Sequence, residues 1–468
     1  MKKLLALFLN VLMLTTIGAC ARAGDDGAST DAQDGADTDW DFYYGRAEAF
    51  ITEMANGNFD AAHELFDATM KKLAPADMLE RDVWGAIIAQ AGEFVAVHEK
   101  SNTAAEGYYV CFITSRHERS GVTMRVVLSK DGLVAGLYVD GYPALDGEAA
   151  TTESVQRNGF TDYPVAIGEG TDYPLGGILS MPDGAAGVPA VVLVQGSGPH
   201  DMDESFYTNK PFRDIAEYLV KNGIAVLRYD KRTFTHGDKL VAALGGGLTV
   251  REETIDDAVL AARLLKADER VDSSRVFILG HSLGGMLAPR IHVEGGDFAG
   301  IISLAGSPRS LLDIIKDQQL DYINSMAESD EKTTALSQME TYDAQVEALM
   351  SLSDVDAKNT PLSGGVAVYY FKEMDTRSVA DYLAEADVPM LVLQGGADFQ
   401  VYADRDFALW KELLAGRDNV RFELYEGLNH LFMPSTGRGI TDFQEEYKVP
   451  GHVDKAVLRD IAEWINAN

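Results

Sequence analysis

Three side chains in the second half of the chain have the types and the order that nucleophilic acyl transfer requires. Ser282 lies in Gly280-His-Ser-Leu-Gly-Gly285, Asp398 in Gln394-Gly-Gly-Ala-Asp398, and His430 in Glu426-Gly-Leu-Asn-His430. A serine hydroxyl is a weak nucleophile until a histidine takes its proton, and the histidine needs a carboxylate to hold its tautomer and orientation. The order serine, acid, histidine, each just after its own strand, is the one a nucleophile elbow demands.

The elbow itself is legible. Val276-Phe-Ile-Leu279 reads as a short buried strand and Met286-Leu-Ala-Pro-Arg-Ile291 as helix, with Gly280 and Gly284 in the turn where flanking side chains would collide. Asp404 and Asp406 compete with Asp398, but they are placed to begin the next helix, where an aspartate serves as a cap. His452 also follows the last strand, at the opening of the final helix. The oxyanion that forms during acyl transfer needs two N–H donors. We expect them at Leu283 and, in the loop Gln195-Gly-Ser-Gly-Pro199, at Ser197, with Gly198 the alternative.

Elements that position these groups follow from periodicity. Strands are expected at 164–167, 175–181, 190–195, 225–229, 276–279, 300–304, 390–394 and 420–425, and helices at 212–221, 254–267, 283–292, 404–414 and 454–466. Such alternation predicts an α/β fold with a mostly parallel eight-stranded sheet over 156–468. Residues 307–387 interrupt the rhythm as a helical lid, with a strand expected only at 366–371. Met326, Met339, Leu349, Met350, Tyr369, Tyr370 and Phe371 either line an acyl pocket there or form the lid's own core.

Before this domain, residues 40–155 predict a smaller α+β domain. Phe42, Ala47, Phe50, Ile51 and Met54 form a helical stripe, two more helices are expected near 58–66 and 76–91, and strands follow at 94–98, 107–115, 122–129 and 133–139. Helices followed by an antiparallel sheet resemble the NTF2-like fold. His98, Cys111 and His117 have no spacing that closes a metal site, and His200, Asp201, Asp203 and Glu204 are expected to hold their loop by hydrogen bonds. No metal or organic cofactor is expected.

Residues 1–19 read as a signal peptide: Lys2 and Lys3 precede an apolar run too short for a permanent span, ending in Ile17-Gly-Ala-Cys20. Small residues before Cys20 resemble a bacterial lipobox, which implies lipid on its sulfur and an exported lipoprotein anchored to the cell envelope. Residues 20–39, with aspartates at 25, 26, 31, 34, 37 and 39, form an acidic tether. Cys111 is then left without an internal disulfide partner, and a net charge of −33 disfavours nucleic acid as a partner. The expected partners are a small-molecule acyl substrate and, through the anchor alone, a membrane.

Taken together, Gln195-Gly-Ser-Gly-Pro199, Arg228-Tyr-Asp-Lys-Arg232, Gly280-His-Ser-Leu-Gly-Gly-Met-Leu-Ala-Pro-Arg290, Ala305-Gly-Ser-Pro-Arg309, Leu393-Gln-Gly-Gly-Ala-Asp398 and Gly427-Leu-Asn-His-Leu-Phe432 resemble the EstD-type bacterial carboxylesterases of the α/β-hydrolase superfamily. The resemblance covers most of 160–468. It implies an extra N-terminal domain, a triad of Ser282, Asp398 and His430, and hydrolysis of carboxylic esters of short to medium acyl chains. A peptidase or other acyl transferase of the same fold is the rival expectation, and a non-catalytic surface-binding lipoprotein the more distant one.

Overall fold

The computed structural model describes residues 38–105, 108–117, 120–141, 154–362 and 366–468. The signal peptide, Cys20 and nearly all of the tether lie outside the described residues. The described chain forms two compact units, divided in sequence between Glu148 and Ala149.

In the first unit, helix α1 (Trp40–Ala55) begins at Asp39, whose side chain accepts the Phe42 N–H, and buries Tyr43, Ala47, Phe50, Ile51 and Met54. The stripe thus starts at Tyr43. Phe42, one position off it, is exposed and lies over Gly132 at the β-turn. Shorter helices α2 (Phe59–Glu64) and α3 (Gly85–Ala91) follow. Strands β1 (Phe94–Ala105), β2 (Tyr108–His117), β3 (Gly121–Leu128) and β4 (Val134–Gly141) then pair in sequence order as an antiparallel meander. Cys111, Ile113, Val122, Met124, Val126 and Leu128 point to the helix side. Alternation of period two is what one covered face requires.

The second unit is an α/β sandwich. Its sheet contains β5 (Val155–Gln156), β6 (Phe160–Ile167), β7 (Leu175–Pro182), β8 (Val188–Val194), β9 (Ala225–Tyr229), β10 (Val271–His281), β11 (Ile301–Leu304), β12 (Met390–Gly395) and β13 (Val420–Tyr425). The spatial order is 13-12-11-10-8-9-7-6-5, parallel from β13 to β9 and antiparallel from β9 to β5. Two-residue β5 makes nine strands where eight are expected, and it places residue 155 in this unit. Along β8, Ala190, Val192 and Val194 enter one core while Val191 and Leu193 enter the other. A strand covered on both faces must be apolar at every position, hence its unbroken aliphatic run.

Helices α4 (Pro211–Lys221), α5 (Arg232–Leu244), α6 (Asp256–Ala267) and α7 (Leu283–Ile291) connect these strands. Periodicity does not predict α5, because it is polar, contains Gly237 and is kinked at His236. Between β11 and β12 the lid contributes α8 (Leu311–Ser325), α9 (Asp330–Met339), α10 (Tyr342–Met350), α11 (Asp354–Lys358), α12 (Val368–Met374) and α13 (Val379–Glu385). The strand expected at 366–371 is instead α12. Its aromatic and β-branched residues suit a strand, but burying Val368, Phe371 and Met374 together demands helical spacing. Tyr370 and Phe371 belong to the main core, and Met339 packs with Ile323 and Tyr342 inside the lid. After β12 and β13 come α14 (Ala408–Leu413) and α15 (Lys455–Ala467).

Candidate active site

Strand β10 runs into His281, and α7 starts at Leu283, leaving Ser282 alone to make the turn at φ 52°, ψ −116°. A non-glycine residue in that region carries about 1–3 kcal/mol of strain. Neighbours enforce it. A Cβ on Gly280 would lie 2.1 Å from the Gly284 carbonyl oxygen, and one on Gly284 would lie 2.3 Å from the Val194 oxygen. The Ser282 N–H donates to the Leu304 carbonyl at 2.9 Å, so the turn is pinned to β11. Leu283 opens the helix, where first-turn N–H groups have no intrahelical acceptor.

Asp398 and His430 follow β12 and β13, whose C-terminal ends lie along the same sheet edge as that of β10. His430 Nδ1 is 2.7 Å from Asp398 Oδ2, and both residues are buried. The other carboxylate oxygen accepts N–H groups from Gln400 at 2.8 Å and Val401 at 3.0 Å, and Gln394 donates to Oδ2 at 2.9 Å. Asp398 is therefore held rigidly toward the imidazole. Nδ1 is occupied by the carboxylate, which leaves Nε2 as the nitrogen available for another proton transfer.

The competing groups go elsewhere. Asp406 is fully buried and accepts from Ser307 Oγ at 2.5 Å, Arg309 Nε at 2.7 Å and the Tyr402 N–H at 2.7 Å. It braces the loop after β11. Asp404 lies with it in the single π-turn 403–407 that precedes α14. His452 is exposed against Asp214, while Asp454 caps the final helix. In the first unit His117 bonds the Gly92 carbonyl, and burial pushes the Cys111 thiol up to about 12.

The loop after β8 reaches over the serine. A Cβ on Gly196 would lie 3.1 Å from Ser282 Cβ, which fixes how closely this backbone passes. Glu204, at φ 51°, accepts the Gly196 N–H at 2.6 Å. His200 Nε2 lies 2.9 Å from the Ser197 carbonyl, and burial pushes this imidazole down to about 4. Asp201 takes the Ser205 N–H and hydroxyl, and Asp203 pairs with Arg228 and Lys210. The four polar residues are spent on protein partners. Among the described residues no group of three or more His, Cys, Asp or Glu is placed to hold a metal.

Two further residues take part that order and spacing do not single out. His281 puts Nε2 3.0 Å from the His430 carbonyl and Nδ1 3.0 Å from Glu204 Oε1, and its ring packs 4.7 Å from the His430 ring. Lys231, fully buried at the start of α5, donates to the Gly196 carbonyl at 2.6 Å. Both lie inside quoted motifs, next to residues whose roles are easier to name.

The chain is 34% identical to "Esterase EstD" of Thermotoga maritima over 424 residues, a match that covers 89% of this chain and 93% of that protein. The chain belongs to the EstD family of esterases. Consistent with membership, residues 207–434 match a family described as "Serine aminopeptidase, S33", and residues 47–137 match one described as "Protein of unknown function (DUF3887)". Solved structures similar to it include the Pyrococcus furiosus esterase Pf2001 (18% identity, 67% of this chain and 96% of that one, TM-score 0.39). Est1E from Butyrivibrio proteoclasticus is another (16% identity, 64% and 99%, TM-score 0.40). As an EstD-family member the chain is a hydrolase with an α/β-hydrolase domain behind a small β-rich N-terminal domain.

Proposed function

We propose that this protein hydrolyses carboxylic esters of short to medium acyl chains through an acyl-enzyme on Ser282. The observation that carries the reading is the His430–Asp398 contact of 2.7 Å at the sheet edge where Ser282 is held in a strained turn beneath Gly196. His430 Nε2 takes the hydroxyl proton as Oγ attacks the ester carbonyl, and Asp398 stabilises the imidazolium. The N–H groups of Leu283 and Ser197 stabilise the oxyanion, the alcohol leaves with the proton from His430, and water repeats the attack. Tyr370 and Phe371 are committed to the core, which favours modest acyl chains over long ones.

Ser282→Ala should lower turnover of p-nitrophenyl acetate by about 10⁶-fold, with folding intact; unchanged turnover would refute the assignment. The match to the S33 family favours amide hydrolysis as the second reading. A p-nitroanilide cleaved faster than the matching p-nitrophenyl ester would select it. The lipobox-like sequence at Cys20 supports an envelope-anchored enzyme. Accordingly, Cys20→Ser should release activity from membranes into the soluble fraction, and activity that stays membrane-bound would count against the anchor.

A further inference from the structure

Gly196 is gripped from both sides. Its N–H is held by Glu204, and its carbonyl is held by the Lys231 ammonium at 2.6 Å. That carbonyl belongs to the peptide unit whose N–H is the Ser197 N–H. Among the described residues no peptide bond is cis, and in a trans peptide the C=O and N–H point in opposite directions. Fixing the carbonyl on Lys231 therefore fixes the Ser197 N–H away from it. A cation on the carbonyl also draws electron density from the amide, which makes its N–H a stronger donor.

Lys231 is delivered to this position by a buried chain of its own. Its ammonium pairs with Glu253 Oε1 at 2.6 Å, and Glu253 Oε2 accepts the Tyr370 hydroxyl at 2.6 Å from lid helix α12. All three side chains are buried. Burying a lysine and a glutamate is costly unless every charge finds partners, so a stable core would be made more cheaply from apolar residues. Here the pair ends on one backbone carbonyl beside the serine.

We propose that Lys231 is a positioning residue for catalysis: with Glu253 and Tyr370 it orients and polarises the Gly196–Ser197 peptide, selecting Ser197 over Gly198 as the second oxyanion donor. This rests on the reading of Ser282 as the nucleophile. Loss of an oxyanion donor costs about 10²–10³ in kcat, and loss of the group that aims it should cost about 10–100-fold.

The test uses the full chain and compares wild type, Ser282→Ala, Lys231→Met and the double variant Lys231→Met/Glu253→Gln, which leaves no unpaired buried charge. Measurements are kcat and KM for p-nitrophenyl acetate and the affinity of a trifluoromethyl ketone, which forms a tetrahedral adduct on the serine. Expected is a kcat loss of about 10–100-fold in the double variant, KM within about threefold, and inhibitor affinity falling in parallel with kcat. Tyr370→Phe, a milder change that keeps both charges, should lose kcat several-fold in the same pattern. Retained kcat in a folded Lys231 variant, or a kcat loss without a matching loss of inhibitor affinity, overturns the proposal while leaving the ester-hydrolase reading intact. A wild type without Ser282-dependent turnover overturns both.

Discussion

Replacing Glu204 with glutamine tests whether the buried contact beneath the serine is an ion pair. Glu204 is fully buried, with His281 Nδ1 at 3.0 Å from its Oε1. Burial acts to raise the Glu204 pKa, but the charge and hydrogen bond of His281, with the His200 charge and the Gly196 N–H, together outweigh it and hold the carboxyl below its ordinary 4.5. Burial likewise acts to lower His281, and the charge and hydrogen bond of Glu204, with the His430 carbonyl and the Asp398 charge, together outweigh it, holding the imidazole above its ordinary 6.5. A raised histidine contributes its stability in full below 6.5 and loses it as pH climbs through the folded value. A depressed glutamate contributes in full above 4.5 and loses it as pH falls through the folded value. Between those two pH values the pair is worth most.

Glutamine keeps an acceptor for the Gly196 N–H but removes the charge. Breaking a buried pair from one side costs about 3–5 kcal/mol, and the lower end applies because His281 can shed its proton. At about 2 °C per kcal/mol for a domain of this size, the Tm at about pH 5.5 should fall by about 6 °C. As pH climbs through the folded His281 value, the imidazole becomes neutral in the wild type as well, and the gap should close. Calorimetry on the whole chain reads this in the transition that coincides with loss of esterase activity. A Tm deficit that is constant across that range, or that widens with pH, would refute the ion pair.

The two buried aspartates near the site should separate cleanly. Asp398→Asn should cost about 10⁴ in kcat at nearly unchanged Tm, because an amide favours the wrong imidazole tautomer; a loss under tenfold would move the acid role elsewhere. Asp406→Ala should do the reverse, lowering Tm by about 6 °C by taking the acceptor from Ser307 Oγ and the Tyr402 N–H and leaving Arg309 with Asp317 alone, with kcat at 25 °C within about threefold of wild type. A collapse of kcat in that folded variant would place Asp406 in the chemistry.

Much of this was readable before any coordinates. Runs rich in β-branched and aromatic residues between turn segments mark the strands, so β9 and β13 have the expected ends and Ser282, Asp398 and His430 fall just beyond their strands. Local chemistry also placed Gly280 and Gly284, because a tight strand-to-helix turn excludes side chains at those points. Where a run of residues suits two conformations, as at 366–371, packing against the core decided for helix. At Phe42 and Tyr43, a one-residue ambiguity in a helical stripe was decided the same way.

What the tertiary structure alone decided is which polar groups meet. Glu204, Lys231, Glu253, His281 and Tyr370 come from five separate segments, and no spacing rule relates them. They converge because burial of apolar faces sets where each element and the loop after β8 run. Once there, a charge cut off from water must find a partner or neutralise. Periodicity can say that a residue is inside. The partner it takes depends on the packing of the whole sheet.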